Sequence, residues 1–311
     1  MNINSAGPRK EKLLSREECL SPFPLPTGEQ PEDVLGNIWR KNEVYLDVGT
    51  YAVGSVVMSL WPMLILVSVG AYFGWGGRFF YIYAIGSILI IGLPVLMFVY
   101  VLLRPTSNPA RFNRQRREVC VPVNEHDYWI VPWETVIAQA TEHQSFSQAG
   151  KYSIGGGLVV GFKNPDPHAE DELKYCSFTF ACGSVTASRR VWECMRSYME
   201  IGPEAIEDFR EKSHHPKGVL ATYWDQLLES AQRKGWPMAL LWEGFFGLFI
   251  FNILLIIALE RWKLNPPPDL TYPDIIEWSK PLPPQQWAKR SPELEAAIAQ
   301  REAELAAQKN L

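Results

Sequence analysis

The chain has 311 residues and a formal net charge of −4, which argues against a general nucleic-acid binder because such proteins carry an excess of basic residues. Its five cysteines are odd in number and form no CxxC pair. They argue against a disulfide framework or a zinc site and predict reduced thiols on the cytoplasmic side of a membrane. Twelve Trp, twelve Tyr and fifteen Phe are many for a cytosolic enzyme and typical of a protein with membrane interfaces.

The N-terminal segment is rich in Pro, Ser and charged residues and contains no apolar stretch like that of a signal peptide. Such a composition buries too little apolar surface to order the backbone. We therefore predict a flexible cytoplasmic leader over residues 1–43.

Two long uncharged runs follow, at about residues 48–73 and 79–103. About 20 apolar residues cross the hydrocarbon core of a bilayer, so each run is long enough to span it. The five residues GWGGR between them permit only a tight turn, and we predict a transmembrane hairpin over residues 44–103. The alternative is a buried pair of helices in a soluble protein.

Lys and Arg side chains indicate the orientation of this hairpin. Six precede the first run, five follow the second run within fifteen residues, and the turn holds one, Arg78. By the positive-inside rule, we expect the N-terminus and residues 104–236 in the cytoplasm, with the hairpin in a bacterial inner membrane.

A third apolar run extends over residues 237–260 and carries Glu243 and Asn252. We predict a third transmembrane helix, with a re-entrant or interfacial helix as the alternative. A carboxylate such as Glu243 costs about 2 to 3 kcal/mol at this depth unless it meets a partner or the interface. Three crossings would place the tail, residues 261–311, on the periplasmic face.

Residues 104–202 change to short alternating segments followed by an amphipathic stretch that Ser184 could cap. We predict an antiparallel β domain closed by one helix, and a helical linker over residues 203–236. The strings FNRQRREV and IVPWETV resemble those of small bacterial pleckstrin-homology-like domains found beside membrane hairpins, which implies a barrel of that kind. The expected fold class is therefore membrane α-helices combined with a soluble α+β domain.

The polar turn within FNRQRREV holds three arginines, Arg114, Arg116 and Arg117. Packing does not require charge in a turn, so we predict that this basic turn is available to an acidic partner. Arg104 and Arg111 are assigned to membrane topology and headgroup contact, where each basic residue contributes about 1 kcal/mol.

The tail has two parts. As far as Pro292 it is rich in proline and tryptophan and unable to form a core of its own, and Trp278 and Trp287 on this arm are natural anchors for a protein interface. From Ser291 onward it predicts a strong helix, capped by Ser291, whose thin apolar stripe needs a partner.

Motifs that carry chemistry are mostly missing from the sequence. Residues 155–157, GGG, lack the Lys and Ser/Thr of a phosphate loop, and we expect the start of a strand or a flexible loop there. His214 and His215 are adjacent, a spacing that does not let both reach one metal ion from a helix. We predict no catalytic, cofactor-binding or metal-binding residue, and an enzyme stays only as a third hypothesis.

The hairpin, the string RPTSNPARFNRQRREV, the third run and the tail string WSKPLPPQQWAKRSPELEAAIAQREAEL together resemble one family. It consists of proteobacterial multi-pass inner-membrane proteins encoded beside type VI secretion spike and effector genes. The resemblance extends over most of the chain from about Trp39 and implies association with a secreted toxin or its spike protein, as an immunity protein or an accessory, loading factor. The alternative is a pleckstrin-homology-like protein that recognises anionic lipid headgroups or scaffolds a membrane complex. No nucleic-acid partner is expected, and the oligomeric state stays open.

Overall fold

The structure is a computed structural model in which the chain divides into two compact units. The first unit consists of Met1–Thr50, Asn108–Arg210 and Asp269–Leu311, and the second of Tyr51–Ser107 and Glu211–Pro268. The residues described are 10–12, 15–34, 36–51, 53–78, 80–124, 127–147, 150–170, 174–206 and 218–309.

The first unit is built on two antiparallel sheets, which in the described part of the chain have five strands each. Sheet 1 has the order β1-β2-β8-β9-β10, and sheet 2 has the order β3-β4-β5-β6-β7. The strands are β1 (Lys10–Lys12), β2 (Ser15–Ser21), β3 (Ile38–Lys41), β4 (Tyr45–Val48), β5 (Ala110–Asn113), β6 (Glu118–Pro122), β7 (Tyr128–Pro132), β8 (Ile137–Ser147), β9 (Gly150–Lys163) and β10 (Tyr175–Phe180).

Strict alternation separates the two faces of sheet 2. Leu46, Phe112 and Val119 lie on the inner face and are buried, whereas Asp47 and Arg111 lie on the outer face. Apolar residues from both sheets form one core together with helix α4 (Val185–Glu200). The first unit is therefore an antiparallel α+β domain, as the sequence predicts at this coarser level.

Local sequence signals predicted several of these elements correctly. Ser184 caps α4 by accepting a hydrogen bond from the backbone N–H of Ala187. Strands β5 and β6 flank the basic turn, and Pro132 lies on β7, an edge strand where its missing N–H is tolerated.

The prediction of a flexible leader over residues 1–43 is wrong for the described residues of that segment. Strand β2 pairs with β8, and β3 pairs with β4. Glu18 of β2 forms an ion pair with Arg189 of α4 at 2.5 Å. Composition misjudged β2 because its partners, β8 and α4, lie far along the chain, where no local pattern reveals them.

The second unit is helical in its described part. Its elements are α1 (Val53–Gly74), α2 (Phe80–Ser87), a π-helical turn (Ile88–Gly92), α3 (Leu93–Leu103), α5 (Val219–Lys234), α6 (Trp236–Ala239), a π-helix (Leu240–Ile250) and α7 (Ile253–Leu264). Two segments, Val53–Gly74 and Phe80–Leu103, are long and apolar enough to cross a membrane. The first of them begins later than the sequence predicts, because Tyr45–Val48 pairs with β5 in sheet 2.

The predicted third transmembrane helix over residues 237–260 is broken. Trp236–Ile250 and Ile253–Leu264 are bent by 73° relative to each other. At the bend Asn252 adopts the left-handed conformation, with φ 51 and ψ 56, and its side chain accepts a hydrogen bond from the N–H of Leu255 to cap α7. Asn tolerates this conformation better than any apolar residue of the run would, so the bend has a local cause.

The helical linker predicted over residues 203–236 is only partly described. Its α5 belongs to the second unit, where Leu227 and Tyr223 pack with Ala231 and Ala239. His214 and His215 lie outside the described residues.

Residues 155–157 lie inside strand β9 rather than at its start. A Cβ at position 156 would lie 2.5 Å from the carbonyl oxygen of Thr141, whereas a Cβ at position 155 would meet nothing within 4 Å. Gly156→Ala is therefore expected to lower the free energy of unfolding by about 1 to 3 kcal/mol. Thermal unfolding of the purified protein measures this loss, with Gly155→Ala as the matched control that should unfold like the unchanged chain. Equal melting of the two variants would contradict the close pairing of β8 with β9.

Candidate interaction site on the second sheet

The tail of the first unit lies along the outer face of sheet 2. We call residues 269–309 the strap; it contains α8 (Pro273–Trp278) and α9 (Pro292–Lys309). The sequence predicts that this segment needs a partner, and the structure supplies one within the same chain. Residues 269–290 of the strap contact the rest of the first unit at four successive places.

The first contact is a buried ion-pair cluster. Arg111 is 3% exposed and donates to Asp47 at 2.7 and 2.8 Å, and to Asp269 of the strap at 2.6 Å. Its guanidinium also lies 3.8 Å from the ring centroid of Tyr45. Burial opposes the charged form, but the hydrogen bonds and charge of Asp47 outweigh it and raise the pKa of Arg111 above its ordinary value. Arg111 is therefore a structural residue that holds the start of the strap, rather than the headgroup contact that the sequence predicts.

The second contact is apolar and centres on Trp278. Its ring packs with Leu270 and Ile275 over Cys120, and its Nε1 donates to Glu118 at 2.8 Å. Tyr128 and Tyr272 extend this cluster with ring centroids 4.8 Å apart, and both lie at its edge. Burial raises the pKa of the Cys120 thiol to about 12, so this cysteine is unreactive while the strap is in place.

The third contact involves the basic turn itself. Arg116 Nε donates to the carbonyl oxygen of Trp278 at 3.0 Å, and the guanidinium of Arg114 lies 5.4 Å from the ring centroid of Trp287. Between them, the side chain and backbone of Gln115 bond the strap at Leu282 and Ala288. The turn and the tryptophans, which the sequence predictions place on opposite sides of a membrane, thus bind each other.

The fourth contact joins the end of α4 to the strap. Glu200 is buried and accepts hydrogen bonds from Arg117 at 2.8 Å, from Trp133 at 2.7 Å and from Arg290 of the strap at 2.6 Å. Glu134 completes the cluster by pairing with Arg117 at 3.3 Å. Burial alone would raise the pKa of Glu200, but the hydrogen bonds and charges of Arg117, Trp133 and Arg290 hold it below its ordinary value.

Helix α9 completes the strap. Ser291 caps it by accepting from the N–H of Leu294 at 3.2 Å, as the sequence predicts. The stripe residues Leu294 and Ile298 are buried, and Arg301 donates to the carbonyl oxygen of Pro26 at 3.2 Å. The apolar stripe of α9 therefore has its partner within the first unit.

Two of the predicted partner-binding residues are not accessible. Arg117 and Trp278 are each 8% exposed, and both are committed to contacts within the first unit. Arg117 also has a φ of 53, a conformation that is uncommon for arginine and here is held by its ion pairs. The prediction that the basic turn is available to an acidic partner is therefore wrong for Arg117, because Glu200 and Glu134 already satisfy its charge.

The prediction that the tail lies on the opposite face of a membrane from residues 104–202 is also wrong. The strap packs on the same unit as residues 108–210, and a bilayer cannot separate elements that pack together. The prediction counted three crossings, and its third crossing is the bent segment described above.

The two polar residues that the sequence predicts within the membrane, Glu243 and Asn252, both have structural partners in the second unit. Glu243 pairs with Lys234 of α5 at 3.2 Å, as expected for a carboxylate that must meet a basic group near the surface. Asn252 caps α7 at the bend. Glu243 therefore connects the apolar segment to α5, and Asn252 stabilises the start of α7.

Sequence analysis missed Asp47, Glu134 and Glu200, although they hold the basic turn and the strap together. An acidic residue in a short apolar strand, such as Asp47 in YLDV, is a signal that a buried cation faces it. Glu134 sits in the string VPWETV, which analysis used for fold resemblance alone. Glu200 ends an amphipathic helix and has no distinguishing local signal.

Sheet 1 presents a different outer face. Ile137 and Tyr175 are 38% and 60% exposed there, and Ser177 and Thr179 of β10 are exposed beside them. The pairing of Ile137 with Gly161 and of Thr179 with Val159 places these small side chains on one face. The result is an exposed surface of apolar and hydroxyl side chains with Lys163 beside Tyr175, which we call the open face.

Comparison of the chain with protein-family models, curated proteins and solved structures finds no match. Among the residues that the structure describes, no group of three or more His, Cys, Asp or Glu side chains could hold a metal ion.

Proposed function

We propose that the chain is a membrane-anchored interaction protein associated with type VI secretion. It binds a toxic effector or its spike protein and acts as an immunity protein or as an accessory, loading factor. The hairpin anchors it in the bacterial inner membrane, with both sheets in the cytoplasm. The toxin association rests on the resemblance of the hairpin, basic-turn and tail strings.

The observation that carries this proposal is the contrast between the two sheets. The outer face of sheet 2 is occupied by the strap of the same chain, whereas the open face of sheet 1 is exposed at Ile137 and Tyr175. An exposed sheet face with an aromatic residue and small neighbours fits a protein partner, because aromatic side chains supply much of the binding energy at interfaces. The partner surface therefore moves from the basic turn to the open face.

A competition assay between sibling cells tests the proposal. The gene is deleted in either the attacking or the recipient strain, and survival is compared with the effector gene intact or disrupted. Recipients that die without the gene only when the effector is intact indicate immunity, and attackers that stop killing while staying protected indicate loading. If neither strain changes, the alternative of anionic headgroup recognition by a pleckstrin-homology-like protein takes its place.

A matched pair of substitutions locates the surface. Ile137→Glu places a charge on the open face and is expected to weaken effector binding by at least about tenfold, or 1.4 kcal/mol, because a carboxylate must be desolvated in the interface. Ile276→Glu makes the same change on α8, at a side chain that is 53% exposed. This control variant should protect cells like the unchanged chain at equal membrane abundance. Full protection by Ile137→Glu would contradict the open face as the binding surface.

A further inference from the structure

Residues 211–268 belong to the second unit, and the chain enters this stretch from the first unit and returns to the first unit after it. Residues 108–210 of the first unit precede this segment, and the strap of the same unit follows it. A chain that leaves one side of a membrane and returns to that side crosses it an even number of times. One bent apolar segment, Trp236–Leu264, lies within the described part of this stretch, so a single crossing there conflicts with where its two ends lie.

The contacts with α1 give the depth of the bend. Trp61 Nε1 donates to the carbonyl oxygen of Phe249, directly before the bend, at 3.3 Å. Trp61 lies eight residues after Val53, the first residue of α1, which at 1.5 Å per residue is about 12 Å along the helix. The hydrocarbon core is about 30 Å thick, so the bend reaches less than halfway across.

Helix α7 leads from the bend to the end of the hairpin where the hairpin begins. Ile256 packs with Val53 and Val57 at the start of α1. Farther along, Lys263 Nζ donates to the carbonyl oxygen of Arg104, the residue that follows α3. The last turn of α7 is therefore level with the first and last residues of the hairpin.

The other arm is tied to an amphipathic helix. Lys234, at the end of α5, pairs with Glu243, and Tyr223 of α5 donates to the carbonyl oxygen of Glu243 at 3.2 Å. A charged lysine and a carboxylate both favour the interface over the bilayer centre. These contacts keep the beginning of the apolar segment near the polar surface.

We propose that Trp236–Leu264 is a re-entrant segment that enters and leaves one leaflet, with Asn252 setting its turn. The chain then crosses the membrane twice, at the hairpin, and the strap stays on the face that holds the sheets. Leu241, Phe245 and Phe249 of this segment are about half exposed or more. Their apolar side chains fit the acyl chains of a single leaflet. The inference rests on the membrane anchor in the proposed function.

Paired topology reporters on the full chain test this inference. Fluorescent protein, which folds in the cytoplasm, and alkaline phosphatase, which is active in the periplasm, are fused in turn to the N-terminus and to the C-terminus, and inserted at Gly76 in the hairpin turn. The expected result is that both termini report one face and Gly76 reports the other. A C-terminus that reports the face of Gly76 overturns the re-entrant segment while leaving the anchor intact. If all three reporters lie on one face and alkaline carbonate extracts the protein from the membrane fraction, the membrane anchor is overturned as well.

A matched pair at the bend tests the role of Asn252. Glycine adopts the left-handed conformation readily, so Asn252→Gly should keep both termini on one face. Leucine disfavours that conformation and lacks the capping oxygen, so Asn252→Leu should move the C-terminal reporter to the opposite face in part of the population. An unchanged reporter in Asn252→Leu would overturn the assignment of the turn to this residue.

Discussion

Replacing Trp278 by alanine is expected to release the strap from sheet 2. The substitution removes a buried indole and the hydrogen bond to Glu118, and the lost burial and the cavity together cost about 3 to 5 kcal/mol. Cys120 lies beneath this ring, so its alkylation by a maleimide in the folded protein should accelerate by at least about tenfold. Thermal unfolding and the rate of Cys120 labelling measure the two effects.

The matched control is Trp224→Ala, which removes an indole that is 53% exposed on α5. This variant should leave Cys120 as slowly labelled as in the unchanged chain. Equal labelling rates in the two variants would mean that Trp278 does not shield Cys120, and the described position of the strap would then be wrong.

Replacing Glu200 by glutamine is expected to loosen the same strap from its other end. The change removes the charge that pairs with Arg117 and Arg290, and leaves the longer contact to Glu134 as the ion pair of the buried Arg117 guanidinium. Breaking a buried ion pair from one side costs about 3 to 5 kcal/mol, and the partial exposure of Arg290 places the expected loss near the lower end, at about 3 kcal/mol. Glu302→Gln, an exposed change on α9, should alter the unfolding free energy by less than about 0.5 kcal/mol. A loss no larger than that of Glu302→Gln would contradict the buried cluster.

The same carboxylate makes stability depend on acid. The pKa of Glu200 in the folded protein lies below its ordinary value of 4.5. Its contribution to stability is therefore complete above pH 4.5 and is lost as the pH falls through the lowered folded-state value. As the pH falls below 4.5, the free energy of unfolding should decrease more steeply for the unchanged chain than for Glu200→Gln. An equal decrease in both would contradict the lowered pKa of Glu200.

The elements that could be predicted are those whose signals are local. The two long apolar helices, α4 with its Ser184 cap, the strands around the basic turn and α9 each follow from a window of fewer than about 25 residues, in which composition and period decide the structure. The contacts that join them could not be predicted in this way. The composition of strand β2 is typical of a disordered segment, but the strand is ordered by its pairing with β8. No residue near β2 in the sequence indicates that pairing.

The candidate site shows the same limit. The sequence predicts the basic turn and Trp278 as partner-binding residues, but their pattern does not reveal that they bind each other on the outer side of sheet 2. Glu200 and Asp47, which neutralise the arginines, stand alone in their local sequence. Asn252 was noticed as a polar residue within an apolar run, while its left-handed backbone depends on torsion angles that a hydropathy pattern does not carry.

The first unit is assembled from three separate pieces of chain, and this has a consequence for biosynthesis. Strands β3 and β4 leave the ribosome before the hairpin, their partner β5 leaves after it, and the strap leaves last. Sheet 2 therefore cannot close until the two apolar helices have been made, and its outer face stays bare until the final 43 residues are made. A premature stop before Asp269 would leave a protein with an exposed sheet face, a natural substrate for chaperones and proteases.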